Sequence, residues 1–95
     1  MNGSSVVPVE RPGADLVEKG VRDLHAGAES PEALLVSIAA RRLSALGLDV
    51  PRTLPDPEIR LYELLAREDE DSAHGRYNAL VRRLVSYERA AECAS

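Results

Sequence analysis

Apolar residues recur at helical spacing in four stretches of this chain, and one of them is apolar around most of its circumference. Residues 30–48 run Ser-Pro-Glu-Ala-Leu-Leu-Val-Ser-Ile-Ala-Ala-Arg-Arg-Leu-Ser-Ala-Leu-Gly-Leu. Ser30 reads as the helix cap, because its hydroxyl can accept from an otherwise unpaired N–H. Pro31 suits the first helical position, and Glu32 suits the positive end of the helix dipole. Gly47 can take the left-handed conformation that closes a helix, with Leu48 packing back on Leu43. At about 100° per residue the polar wedge of this helix is only Ser37, Arg41 and Ser44. The rest is Leu34, Leu35, Val36, Ile38, Ala39, Leu43, Ala45 and Leu46, interrupted by Arg42.

The first helix is expected from about Ala14 to Ala26, with Leu16, Val17, Val21 and Leu24 on one face and Gly27 ending it. Gly20 falls inside that stripe. A glycine there costs up to about 1 kcal/mol of helix propensity, so it is either tolerated or marks a close approach by another helix. A proline-stiffened connection, Asp49 to Pro55, leads to the third helix, for which Asp56 is the expected cap and Pro57 the first residue. Ile59, Leu61, Tyr62, Leu64, Leu65 and Ala66 give that helix a broad apolar surface. Asp71 or Ser72 is expected to cap the fourth helix, which runs to about Glu92 with Tyr77, Leu80, Val81, Leu84 and Tyr87 on its apolar face. Residues 1–12 show no helical period and read as a flexible N-terminal arm, leaving 13–93 as a single helical domain. The expected fold is all-α, a compact four-helix bundle.

In such a bundle every helix keeps a face to water, and the second and third helices do not look written for that. Ninety-five residues bury only about 60–65% of the unfolded chain's surface. The excess of apolar surface therefore points to a partner protein, most simply a second copy of the chain. Leu35, Ile38, Arg42, Leu61 and Leu65 are the residues expected at that interface. The functional reading is a small non-catalytic protein–protein interaction module: a homodimer, an accessory subunit, or an acidic partner that neutralises a basic protein.

Charge supports this and supplies an alternative. Acids outnumber bases sixteen to twelve, a net charge of −4, which repels nucleic acid and anionic membrane at long range. The imbalance is uneven: residues 1–72 carry eight bases against fourteen acids, and residues 73–95 carry four bases against two acids. Arg76, Arg82, Arg83 and Arg89 on the fourth helix are the possible nucleic-acid contacts. On a helical wheel they form two rows, Arg76 with Arg83 and Arg82 with Arg89, flanking the apolar face as in a solvated amphipathic helix. With three Tyr and neither Phe nor Trp, platforms for stacking bases are few. Arg42 and Glu88 both fall within apolar arcs. Since an unpaired buried charge costs several kcal/mol, they meet, pair across an interface, or snorkel to solvent.

Little else carries chemistry. The acidic run Glu68-Asp-Glu-Asp71 lacks the spaced ligands and central glycine of a calcium loop, and there is no HExxH, no paired cysteine and no glycine-rich phosphate loop. No metal, cofactor or catalytic group is expected. Cys93 is the single cysteine, and no apolar stretch suits a secretion signal or a membrane span, so the expected location is cytoplasmic. The segment Arg67-Glu-Asp-Glu-Asp-Ser-Ala-His74 is similar to the loose pattern of the HEPN ribonuclease superfamily. That resemblance implies His74 as general acid or base, Arg67 steadying a phosphate, and Asn78 one turn on as a polar aid. The polar residue usual just after that arginine is here Glu68, and four acids lie between the pair.

Overall fold

The computed structural model describes residues 13–94; the arm expected over residues 1–12 lies outside the described residues. Five α-helices make up the described chain: α1 (Ala14–Ala26), α2 (Pro31–Ile38), α3 (Ala40–Ala45), α4 (Pro57–Glu68) and α5 (Ala73–Ala94), with a 3-10 turn over Glu70–Ser72 before α5. No strand occurs among the described residues, and no helix is long and apolar enough to cross a membrane. The fold is all-α, as expected.

The junction between α1 and α2 follows from local chemistry. Beyond α1 the left-handed Gly27 donates its N–H to the Leu24 carbonyl at 3.1 Å, and Ala28 donates to the Asp23 carbonyl at 2.8 Å. Ser30 accepts from the Ala33 N–H at 3.1 Å and donates its own hydroxyl proton to the Asp23 carboxylate at 2.6 Å. Lys19 reaches the same carboxylate at 2.7 Å. These two donors, the ammonium first and the hydroxyl second, hold the Asp23 carboxyl below its ordinary range. Gly20 sits where α2 crosses α1 most closely. A Cβ at that position would lie 2.4 Å from both the Glu32 carbonyl oxygen and a Val36 methyl. The glycine therefore admits a close helix approach, and its propensity cost has a packing reason.

The helix expected over residues 30–48 is broken in two at Ala39, which has φ −102° and ψ 16° and separates α2 from α3. Ser37 accounts for the bend. Its hydroxyl donates to the Ala33 carbonyl at 2.9 Å, a back-bond of the kind that bends helices, and accepts the Leu54 N–H at 3.0 Å. Ser37 is thus buried beneath the connection that follows α3, and the expectation that it faces solvent is corrected. The C-terminal signal holds. Gly47 has φ 99°, its N–H meets the Ser44 carbonyl at 3.0 Å, and Leu48 donates to the Leu43 carbonyl at 3.1 Å.

Two capping expectations are corrected. Asp56 stands at the cap of α4, but its backbone is left-handed (φ 46°) and its side chain makes no capping bond. Pro57 disfavours the right-handed conformation at the residue before it, and aspartate tolerates the left-handed one. At the other end Asp69, not Asp71 or Ser72, is the capping side chain: its carboxylate accepts the Asp71 N–H at 3.2 Å and starts the 3-10 turn that leads into α5.

The core explains why α2 is apolar on every side. Five consecutive residues, Ala33 to Ser37, are buried, because α1, α4 and α5 all pack against this helix. Leu34, Leu35 and Val36 meet Leu16, Val17 and Leu24 of α1, Leu61 and Leu65 of α4, and Leu84 and Tyr87 of α5 in one cluster. A helix apolar all round belongs at such a centre. The surplus attributed to a second polypeptide is largely covered by the chain itself.

Gly20→Ala tests the close crossing. The added methyl would meet backbone and a β-branched side chain, so the variant should lose about 1–3 kcal/mol despite alanine's better propensity, read from urea unfolding. A fully stable variant would contradict the packing. Asp23→Asn tests the junction. Because the folded carboxyl titrates below its unfolded value of about 3.9, its contribution is complete above that pH and is lost as pH falls through the folded value. The stability gap between wild type and Asp23→Asn should therefore be full at neutral pH and should close below about pH 4.

Candidate functional site

The bend at Ala39 leaves the last turn of α2 and the first of α3 only partly covered by α5. Ile38, Ala39, Arg41 and Arg42 on one side and Val81, Leu84, Val85 and Glu88 on the other line a groove of about 330 Å³. Its floor is apolar. Ile38, Ala39 and Val81 are half-buried and Leu84 is buried, while Val85 is 36% exposed. Within it lies a charged pair: Arg42 Nη1 donates to Glu88 Oε1 at 3.3 Å, with 63% of the arginine side chain exposed and only 6% of the glutamate side chain. The two charges singled out in the sequence therefore meet within one chain. Arg42 brings its guanidinium from the solvent side to a carboxylate that is too short to reach water.

The structure divides the residues expected at a partner interface. Ile38 and Arg42 lie in the groove. Leu35, Leu61 and Leu65 have no exposed surface and belong to the chain's own core, so no partner reaches them in this fold. Among the described residues the large apolar side chains left to solvent are instead Ile59 (62% exposed), Tyr62 (40%) and Val85. Sequence periodicity missed Val85 and Arg41. The available signal for Val85 was its position beside, not within, the stripe of Tyr77, Leu80, Leu84 and Tyr87.

The arginines of α5 separate in the same way as their rows. Arg76 pairs with Glu68 at 2.8 Å and Arg83 with Asp15 at 3.0 Å, tying α5 to α4 and α1. Arg82 and Arg89 are exposed and form no ion pair among the described residues. They lie about 40–60° around α5 from Val85, on the side away from Glu88.

A second cluster surrounds His74. Its ring stands edge-on to Tyr62 with centroids 6.5 Å apart, Tyr62 also packs on Tyr77 at 5.9 Å, and Asn78 Nδ2 lies 3.2 Å from His74 Nε2. Burial, with a smaller effect from the charge of Glu58, raises the Tyr77 hydroxyl above its ordinary range. His74 therefore spends one ring nitrogen on Asn78. The Arg67 side chain is exposed and forms neither hydrogen bond nor ion pair among the described residues, so neither joins it to His74. Elsewhere, a shallower hollow of about 470 Å³ between α1 and the segment after α3 is walled by Val21 and Leu48, with Glu18, Arg22, His25 and Asp49 around it. His25 and Asp49 stand 3.6 Å apart and are half or more exposed, so no buried polar group converges there. No group of three or more metal-ligating side chains occurs among the described residues.

No family model, no curated protein and no solved structure matches this chain.

The pair in the groove can be measured by a double-mutant cycle on Arg42→Ala and Glu88→Ala. Because Glu88 is buried and Arg42 is largely exposed, the coupling should exceed that of a surface pair without reaching that of a fully buried one, about 1–2 kcal/mol from urea unfolding. Additive single losses would show that the two side chains do not interact.

Proposed function

We propose that the protein is a small non-catalytic protein–protein interaction module, and that the groove between the α2–α3 bend and α5 is the surface that meets its partner. One observation carries this reading: the groove combines a partly open apolar floor with a buried carboxylate held by a single arginine. Ile38, Val81 and Val85 share a partly open face that the chain's own helices leave uncovered. Helices commonly recognise partners through such a groove, with apolar side chains one turn apart as anchors. In this reading the protein works in the cytoplasm, where reducing conditions keep the exposed Cys93 a thiol.

A photo-crosslinking amino acid at Ser44, one turn beyond Arg41 on α3, compared with one at Arg22 on α1, tests the surface in the cells that make the protein. Irradiation should yield a discrete adduct with another polypeptide from position 44 and not from position 22. Val85→Glu, which places a charge on the exposed floor, should abolish that adduct while circular dichroism shows an unchanged fold. No adduct at position 44 above the control would overturn the reading.

A further inference from the structure

We propose, resting on the interaction reading above, that the occupant of the groove is an acidic amphipathic helix of a partner protein. The floor sets the shape. Val81 to Glu88 spans about 10 Å of α5, the length of two helical turns, and Ile38 faces this segment across the gap. Two or three apolar side chains at helical spacing would fill that length.

The rim sets the charge. Arg41 and Arg42 stand on the α3 wall, and Arg82 and Arg89 flank Val85 on α5; all four are exposed. Arg42 neutralises Glu88, which leaves Arg41, Arg82 and Arg89 without an ion pair among the described residues. In a chain of net charge −4 the four arginines here outnumber the acids of the same stretch of α5, Glu88 and Glu92. Carboxylates on both flanks of an apolar stripe would find arginines on both sides of the floor, and arginine's planar donors suit carboxylates at interfaces.

The same charges disfavour other occupants. A second copy seated face to face would set the same arginines against one another. The chain's own acidic run, Glu68 to Asp71, is the end of α4 and a single 3-10 turn, not a helix with an apolar flank. Nucleic acid would leave the apolar floor unfilled, and the tyrosine pair that could stack bases, Tyr62 and Tyr77, is not among the groove's lining residues.

The test uses the full chain and two fluorescein-labelled synthetic 18-residue helices, one with leucines at positions 4, 8, 11 and 15 and glutamates and alanines elsewhere, the other with lysine for every glutamate. The acidic peptide should bind with a Kd on the order of 10 µM at low salt, at least about tenfold tighter than its lysine twin, and should weaken several-fold at 0.3 M salt. Val85→Glu should reduce its affinity about tenfold or more, and Arg82→Glu with Arg89→Glu should shift the preference toward the lysine peptide. All three positions are exposed, so the variants should keep the wild-type circular dichroism. Equal binding of the two peptides, binding unaffected by Val85→Glu, or displacement of the acidic peptide by a 20-base-pair DNA duplex at lower concentration than by unlabelled peptide would overturn the proposal. So would no binding of the acidic peptide below about 200 µM. In any of these cases the adduct at Ser44 decides separately whether the groove is an interaction surface at all.

Discussion

Enclosure of α2 is the constraint on which the rest of the structure depends. Its residues 33–37 are buried in succession, so each direction around its axis must be filled by another element. On one side α1 comes close enough that only a glycine fits at position 20. Leu61 and Leu65 of α4 and Leu84 and Tyr87 of α5 complete the enclosure. Each fully buried leucine contributes about 1.5–3 kcal/mol relative to exposure, and a domain's net stability is only about 5–15 kcal/mol. A few leucines around one short helix therefore outweigh every surface ion pair in the molecule. Polar groups then set where the enclosing elements attach: Ser30 binds the start of α2 to Asp23, and Ser37 binds its end to the backbone of Leu54.

What was legible in the sequence was local. The bounds of α1, the Ser30 cap and the Gly47 closure each depend on a few adjacent residues and on backbone geometry, and all three stand as read. Asp56 stands at the cap as read, but the left-handed backbone that Pro57 favours there leaves its side chain without a capping bond, and the 3-10 turn before α5 moves the capping side chain back to Asp69. Ser37 failed for another reason. Periodicity ranks side chains by polarity, and a hydroxyl whose donor and acceptor are both satisfied by backbone can lie in a core as readily as at a surface. The largest misreading had the same root. An apolar circumference reads as a surplus if each helix keeps a face to water, whereas it is the mark of the central helix. Of the candidate site, Arg42 and Glu88 were visible as charges inside apolar arcs, but the groove around them needs the bend at Ala39, where Ser37 is buried and held by a contact across seventeen residues as well as by its own back-bond.

The bend also links core to surface. If α2 continued straight through Ala39, Ile38 and Arg42 would stay on one unbroken helix, as the sequence suggested. Instead the Ala39 N–H is shared between the Leu35 and Val36 carbonyls, at 3.3 and 3.2 Å, and the chain turns there. The turn leaves a gap beside α5 into which Val81 and Val85 project from one side and Ile38 from the other. Glu88 lies in this gap with its charge met by Arg42 alone among the described residues. A carboxylate so placed is held in an environment that solvent screens on only one side, and its partner comes from α3. The position of α3 against α5 is in this way registered by charge as well as by packing.

The distribution of cations shows which faces the fold has already used. Lys19, Arg60, Arg76 and Arg83 each join an acid: Lys19 reaches Asp23 and Glu32, Arg60 reaches Glu29, and the other two reach Glu68 and Asp15. All four bridge different helices or a helix and a linker, so the acidic excess of residues 1–72 is partly spent holding elements together. On α5 this use follows the helical rows. Arg76 and Arg83 share a row and are both engaged by the chain's own acids, while Arg82 and Arg89 share the other row and form no ion pair among the described residues. Two rows that look equivalent on a helical wheel thus differ in consequence: one ties α5 to the fold, and the other stays exposed beside Val85. Only half of the arginines that suggested nucleic-acid contact are left unengaged, and those that are stand beside an apolar floor, a combination that favours a side-chain-rich partner over a phosphate backbone.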